Sequence, residues 1–151
     1  MFGLKIRKAE LDDLDEIAKL LLDLIESMEN IEGINPEKLA GNCGRLLKND
    51  NSFLLVAEHE QYIVGFLNFT IRWTALADRP SGLIDELVVA KEYRGKGIGQ
   101  MLVKAAEEKC RQLKCSEIEV ATEKSNLAAR QFYIQCGYDE DAVLFEKHFG
   151  E

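Results

Sequence analysis

The residues best suited to chemistry form a glycine-rich turn, Arg94-Gly95-Lys96-Gly97-Ile98-Gly99, which follows an apolar strand and leads directly into a predicted helix. Glycine lets a backbone approach a ligand closely, and the free N–H groups at the start of a helix attract an anion. Two basic side chains, Arg94 and Lys96, alternate with the glycines. The turn therefore predicts a site for a phosphate or pyrophosphate, with an ordinary strand-to-helix turn as the alternative.

Other phosphate-binding loops fit this segment less well. The Walker loop requires Gly-Lys followed by Ser or Thr, whereas Gly95-Lys96 is followed by another glycine. The dinucleotide fingerprint requires G-x-G-x-x-G after an early strand. The glycines here are spaced G-x-G-x-G and follow the fourth predicted strand.

Two adjacent carboxylates, Asp85 and Glu86, precede this turn at the start of the same strand. Successive residues of a strand point to opposite faces, so we expect these two side chains on opposite faces. A carboxylate beside an amine can draw off its proton, directly or through water. For at least one of the two, a solvated or salt-bridged surface carboxylate is the expected role.

Asn126 and Tyr133 lie seven residues apart in a later predicted helix. That spacing is two helical turns, so the two side chains share a face and can contact one ligand. Asn126 is also well placed as a helix cap, and Tyr133 could be core packing beside Phe132. Of the two aromatic residues, Phe132 is the better candidate for the core.

The helices and strands that position these residues can be predicted from hydrophobic periodicity and from the placement of turn-forming residues. The order is β-α-α-β-β-β-α-β-α-β. The predicted strands are 4–7, 53–58, 62–73, 83–90, 117–121 and 143–149, and the predicted helices are 14–28, 36–48, 98–113 and 126–135.

The early strands are joined by short turns and should be antiparallel, whereas the later strands are separated by helices and should pair in parallel. The predicted fold is a mixed α/β sheet with helices on both faces, formed by a single domain over residues 1–151. That length suits one domain, and no linker or repeat interrupts it.

Composition narrows the classes of partner. The net charge of −8 disfavours nucleic acid, and no apolar run is long enough to span a membrane. The start of the chain has no signal-peptide core, which predicts a cytoplasmic protein. The four cysteines, Cys43, Cys110, Cys115 and Cys136, lack metal-ligand spacing, so we expect free thiols and no metal.

Two motifs together resemble the GNAT superfamily of N-acetyltransferases. The family's coenzyme A signature, Gln/Arg-x-x-Gly-x-Gly/Ala, matches Arg94–Gly99, and Tyr93 completes a Y-R-G-x-G-I-G string. A second family motif, N-x-x-A-x-x-F-Y, matches Asn126–Tyr133, and Gly137-Tyr138 matches the G-F/Y that follows. The strand order agrees over nearly the whole chain.

The resemblance implies roles for matched residues. The backbone of Arg94, Gly95, Lys96, Gly97, Ile98 and Gly99 would hold the pyrophosphate of acetyl-coenzyme A. Leu87, Val88 and Val89 would offer backbone groups to the pantetheine arm, on a strand that usually carries a bulge. Asn126 would contact the coenzyme, and Tyr133 would lie near its sulfur.

The implied activity is direct transfer of acetyl from acetyl-coenzyme A to a primary amine, without an acyl-enzyme on Cys136. Asp85 or Glu86 would serve as base and Tyr133 as acid. The alternatives are a non-catalytic acyl-coenzyme A sensor of the same fold and a nucleotide-binding module.

The acceptor is expected to be a small cationic amine or a protein amine. In the family that this chain resembles, the segments corresponding to residues 27–42 and 74–82 determine the acceptor, and Glu26, Glu29 and Glu32 lie near the first of these segments and would suit a cationic amine. A homodimer is the default assembly.

Overall fold

The structure is a computed structural model that describes residues 2–150. Within these residues, four α-helices are formed: α1 (Leu14–Glu26), α2 (Leu39–Leu47), α3 (Ile98–Gln112) and α4 (Leu127–Gln135). All four were predicted from the sequence within a few residues at each end. Short 3-10 turns precede α1 and α2 at Leu11–Asp13 and Pro36–Lys38. Asn35 caps the second of these turns by accepting a hydrogen bond from Glu37 N at 3.0 Å.

In the described part of the chain, five strands form one sheet in the order β1-β2-β3-β4-β5. Their bounds are Leu4–Lys8, Ser52–His59, Tyr62–Arg72, Ser81–Val89 and Glu117–Val120. The pairs β1–β2, β2–β3 and β3–β4 are antiparallel. For β2, β3 and β4, which follow one another without an intervening helix, this pairing was predicted. The first residues of β4 and β5 lie together, since Ser116 N donates to Pro80 O at 2.9 Å and Ser81 Oγ lies 3.5 Å from Glu117 Oε1.

The residues up to Glu119 form one compact unit and those from Val120 form another. In the first unit, α1 and α2 cover one face of the sheet, which we call the α1/α2 face. The core there includes Ile17 of α1, Cys43 of α2 and the strand residues Val56, Phe66 and Val88. These strand residues are register partners across β2, β3 and β4, which places them on the same face.

Helix α3 covers the opposite face through a buried stripe, and a small residue in β4 permits its close approach. The stripe consists of Ile98, Leu102, Val103, Ala106 and Cys110. A Cβ atom built at Gly82 would lie 2.5 Å from Cys110 Sγ, closer than nonbonded atoms come. The sheet with helices on both faces is therefore confirmed.

The last predicted strand, 143–149, is wrong. Residues 139–150 form neither helix nor strand, and Val143, Phe145 and Phe149 are exposed. The apolar residues of this segment express only a side-chain preference, whereas a strand also requires a partner for its backbone hydrogen bonds. No strand among the described residues pairs with this segment. Among the residues from Val120 to 150, α4 is thus the one helix, and the chain on its C-terminal side has no regular secondary structure.

No helix in residues 2–150 combines the length and the apolar composition that crossing a membrane requires.

Candidate functional site

The glycine turn has the backbone conformation that its sequence predicts. Gly97 is the N-cap of α3 with φ of 84°, and Gly95 has φ of 76°. Side chains strain the backbone in this left-handed region, so glycine is the fitting residue at both positions. A Cβ atom at either position would meet no heavy atom within 4 Å, so the turn faces open space.

Basic and aromatic side chains surround this turn. Arg94 Nε donates to Val89 O at 3.0 Å, which ties the turn to the end of β4. Lys96 Nζ lies 5.4 Å from the centre of the Tyr93 ring, and the Tyr93 hydroxyl is 3.2 Å from His59 Nδ1. The first N–H groups of α3 have no acceptor within the helix, because a helical N–H bonds to a carbonyl four residues earlier and the helix begins here. Backbone donors, open space and two cations fit a pyrophosphate.

Leu87, Val88 and Val89 lie in the second half of β4. They pair with β3, where Val88 is opposite Phe66, and Val88 itself is buried at 4% exposure. β4 has nine residues and β5 only four, and the two strands begin together. The second half of β4 consequently extends beyond the end of β5.

A bulge in β4 changes the predicted direction of the carboxylates. Glu86 pairs with Asn68 and Ile84 with Phe69, which leaves Asp85 as an extra residue without a partner. The Asp85 Oδ2 atom accepts a hydrogen bond from Thr70 Oγ1 at 3.2 Å. Thr70 lies two residues beyond Asn68 on β3, so both carboxylates reach the same face of the sheet.

The prediction of opposite faces for Asp85 and Glu86 is therefore wrong. The alternation rule assumes one residue opposite one, and a bulge places two residues opposite one. The bulge in the fourth strand that the family resemblance implied is confirmed.

Glu86 lies on the α1/α2 face in a partly buried, electronegative setting. Burial raises the pKa of its carboxyl, and the neighbouring Asp85 charge raises it further, while a hydrogen bond with Asn68 lowers it. The Glu86 charge in turn contributes to the raised pKa of the Cys43 thiol, about 11, for which burial is the main cause. A carboxyl with a raised pKa is a stronger base than an ordinary surface carboxylate.

Asp85 is the more exposed of the two carboxylates. Burial by its neighbours raises the pKa of this carboxyl, and the Thr70 hydrogen bond opposes that rise. Its side chain is nonetheless exposed, and solvent reduces such a burial effect. Glu86 is consequently the better placed of the two to serve as a base.

Asn68 is a residue of this site that the sequence did not single out. It is 2% exposed, faces Glu86 across the β3–β4 ladder and faces Leu54 across the β2–β3 ladder. The sequence signal was a single amide within the apolar run of β3, Ile63–Phe69. Such a residue is noticeable, but its partner depends on a register that only the structure provides.

In the second unit, Asn126 caps α4 by accepting a hydrogen bond from Ala129 N at 3.1 Å. The capping role that the sequence left open is therefore present, and it uses the oxygen of the amide. A coenzyme contact through this residue stays a prediction.

Tyr133, not Phe132, is the more buried of the two adjacent aromatic residues, at 9% exposure. Its ring lies 5.0 Å from that of Phe132 and 5.6 Å from that of Tyr138, both edge to face. Burial raises the pKa of Tyr133 to about 12, with a smaller contribution from Cys136. The hydroxyl is therefore protonated at neutral pH and is a weak acid.

The cysteines are free thiols, as predicted. Cys43, Cys110 and Cys115 are buried and Cys136 is half-buried. Burial raises the pKa of Cys110 to about 12, which keeps that thiol protonated. Within residues 2–150, no three His, Cys, Asp or Glu side chains lie close enough together to hold a metal ion.

In the predicted acceptor region, one of the three glutamates already forms an ion pair within the protein. Glu26 Oε2 lies 3.4 Å from Lys91 Nζ in an exposed ion pair, so its charge is partly compensated. Glu29 and Glu32 are exposed in the segment between α1 and α2. Exposed carboxylates of this kind attract cations weakly and do not define a site.

Comparisons with known proteins agree with this geometry. The model of the acetyltransferase (GNAT) family matches residues 16–138. An uncharacterized N-acetyltransferase of Archaeoglobus fulgidus is 30% identical over 131 residues, covering 86% of this chain and 89% of the relative. The aminoalkylphosphonate N-acetyltransferase of Salmonella typhimurium is 27% identical, covering 95% of this chain and 90% of the relative.

Among solved structures, a possible acetyltransferase from Clostridium difficile superposes with a TM-score of 0.85 at 25% identity, covering 98% of this chain and 99% of that one.

Proposed function

Because the chain belongs to the GNAT family of N-acetyltransferases, we propose that it transfers acetyl from acetyl-coenzyme A to a primary amine, with Glu86 as the base. The observation that carries the proposal is the β4 bulge, which directs Glu86 and Asp85 to one face of the sheet next to a strand that continues into the glycine turn. A base on β4 and an anion-binding turn after its end suit the transfer of an acetyl group from an anionic cosubstrate.

The cosubstrate site is proposed at the glycine turn and the second half of β4. The N–H groups from Gly95 to Gly99 would hold the pyrophosphate, supported by the charges of Arg94 and Lys96. Backbone groups of Leu87–Val89 would align the pantetheine arm. The open space beside Gly95 and Gly97 supports this assignment, since a side chain at either position would project towards the phosphates.

The chemistry divides among three groups. Glu86 accepts the proton that the amine loses, directly or through water, so that a neutral nitrogen forms the new N–C bond. Backbone N–H groups of β4 stabilise the developing oxyanion. Tyr133 donates its proton to the sulfur as the C–S bond breaks, which releases coenzyme A as the thiol.

The proposed acceptor is a cationic amine, either a small molecule or an amine of a protein. The support is electrostatic: Asp85 and Glu86 share one face, and the chain carries a net charge of −8. An ammonium group with a pKa near 10.4 costs about 4.6 kcal/mol to deprotonate at pH 7, so a base beside it is needed. A homodimer and a cytoplasmic location stay predictions.

The test is an acetyl-transfer assay that measures release of the coenzyme A thiol with a panel of amines. We expect turnover with at least one amine and rates that rise from about pH 6 to about pH 8.5 as the base and the amine lose their protons. Glu86→Gln should lower kcat/KM about 10²-fold. Asp85→Asn, the matched control, should lower it less, because Asp85 is exposed and bonded to Thr70.

Equal, unimpaired kinetics in both variants would exclude a β4 carboxylate as base. Binding of acetyl-coenzyme A without turnover on any amine would favour the non-catalytic sensor instead. Stabilisation by ATP but not by acetyl-coenzyme A in a thermal-shift assay would favour a nucleotide-binding module.

A further inference from the structure

Asn68 is a buried amide at the centre of the sheet with one of its two polar atoms unused. Its Oδ1 atom is buried and has no hydrogen-bond partner among the residues that the structure describes. Buried polar atoms are nearly always hydrogen-bonded, because an unpaired one loses its contact with water without replacement. A residue kept for packing alone would carry an apolar side chain here, since Leu54 and Phe66 occupy the same face.

The neighbour of Asn68 explains which way the amide points. Glu86 is its cross-strand partner on β4, and the Asn68 hydrogen bond favours the ionised form of that carboxyl. Only the amide N–H can favour a carboxylate, because a carbonyl oxygen would repel it. The Nδ2 group therefore faces Glu86, which leaves Oδ1 as the unpartnered acceptor beside it.

Two acceptors side by side match a donor with two hydrogens. A water molecule in this position would donate one O–H to Asn68 Oδ1 and the other to Glu86. It would then have a lone pair for the proton of an approaching amine, and it would have the two or more polar partners that an ordered water needs. Asp85 accepts a hydrogen bond from Thr70 instead, so the Asn68 amide and its proposed water serve Glu86 and not Asp85.

We propose that Asn68 is a positioning residue for Glu86: its N–H group fixes the carboxylate, and its Oδ1 atom holds the water that carries the proton from the acceptor amine. The inference rests on the proposed function. The proton balance is complete, since the amine gives one proton to the water and the water gives one of its own to Glu86. Deprotonation of Glu86 to solvent resets the site.

The experiment is a titration of Glu86 in the full-length protein, followed by carbon NMR of labelled glutamate carboxyls, in wild type, Asn68→Leu and Asn68→Asp. Both variants remove the N–H donor and keep the number of side-chain heavy atoms, so Glu86 should titrate at higher pH, by about half a pH unit or more. The larger upward shift is expected in Asn68→Asp, which adds a negative charge. The acid limb of the kcat/KM profile should move in the same direction.

Thr70→Val is the matched control, since Thr70 lies on the same face two residues away and bonds to Asp85 instead. It should not move the Glu86 titration to higher pH, because Thr70 acts on Glu86 only through the charge of Asp85. A Glu86 titration unmoved in both Asn68 variants would overturn the proposal. Loss of the fold in both, with Thr70→Val folded, would overturn it as well, since Asn68 would then be structural.

Failure of the proposed function is separable from failure of this inference. Absence of acetyl transfer with every amine would refute the function, whereas the NMR titration does not depend on turnover.

Discussion

Among single residues, Tyr133 is the one whose setting most affects the proposed chemistry. Its pKa of about 12 lies about 3.5 pH units above that of an ordinary thiol at about 8.5. Proton transfer to a departing thiolate is therefore more uphill than the ordinary tyrosine pKa of about 10 suggests. A thiolate is also a tolerable leaving group unaided, so the benefit of this acid should be at the low end of the usual range.

Tyr133→Phe should lower kcat by about 10²-fold, the low end of the usual range for general-acid catalysis. Phenylalanine keeps the edge-to-face contacts with Phe132 and Tyr138, so the melting temperature and the affinity for acetyl-coenzyme A should change little. Steady-state kinetics and calorimetry measure the two effects. An unchanged kcat would make Tyr133 a core residue and water the acid.

Sequence reasoning at this scale succeeded where the backbone alone decides. Gly95 and Gly97 have the positive φ angles that a glycine turn implies, and Asn126 caps its helix. The prediction that Asp85 and Glu86 lie on opposite faces was wrong, because the bulge that changes their direction depends on how β4 pairs with β3. Sequence reasoning missed Asn68 because the importance of a buried amide depends on which residue lies opposite it.

Among the elements, four helices and five strands could be predicted because their periodicities are local properties of the sequence. The sixth predicted strand, 143–149, could not be judged in this way, since a segment with strand-like composition forms a strand only when another strand pairs with it. The bulge in β4 is likewise a feature that depends on the pairing of two strands. Register is a property of two strands together, and one sequence does not contain it.

The packing of α3 on β4 makes a prediction about Gly82. Gly82→Ala would place its Cβ 2.5 Å from Cys110 Sγ, so α3 or its side chain must shift, and overpacking of this kind costs about 1–3 kcal/mol. Chemical denaturation measures the loss. Cys110→Ala in the same chain removes the sulfur and should recover most of it.

The double variant gives the decisive comparison for this contact. Additive losses in Gly82→Ala/Cys110→Ala would show that the two residues do not meet, which would contradict the described packing.

For the whole molecule, an ion-pair network ties the start of the chain to the sheet. The guanidinium of Arg7 in β1 binds Asp13 through bonds of 2.8 and 2.9 Å and Glu58 of β2 through bonds of 2.9 and 3.1 Å. Asp13 also accepts from Glu10 N at 2.7 Å and is 6% exposed. The Arg7 hydrogen bonds hold the pKa of Asp13 below its ordinary value of 3.8.

Asp13→Asn should therefore lower the free energy of unfolding at pH 7 by about 1.5–3 kcal/mol, the usual contribution of hydrogen bonds to a charged group. A carboxyl whose pKa is lower in the folded protein than in the unfolded one stabilises the fold at any pH above the unfolded-state pKa. This stabilisation is lost as the pH falls through the folded-state pKa. The difference from wild type should accordingly shrink below about pH 4. Urea denaturation over pH 3–7 measures it, and a constant difference would exclude an ionic origin.

The central claim for the molecule is that its glycine turn binds acetyl-coenzyme A, and isothermal titration calorimetry of Gly97→Asp tests it most directly. Aspartate there would place a side chain and a negative charge where the pyrophosphate is expected. Gly33→Asp is the matched control, because Gly33 has a φ of 82° and equally open surroundings but lies in the segment between α1 and α2.

We expect a dissociation constant raised about 10²-fold in Gly97→Asp, equal to about 2.7 kcal/mol, and an unchanged one in Gly33→Asp. Circular dichroism should show both variants folded. Wild-type affinity in a folded Gly97→Asp would contradict the account.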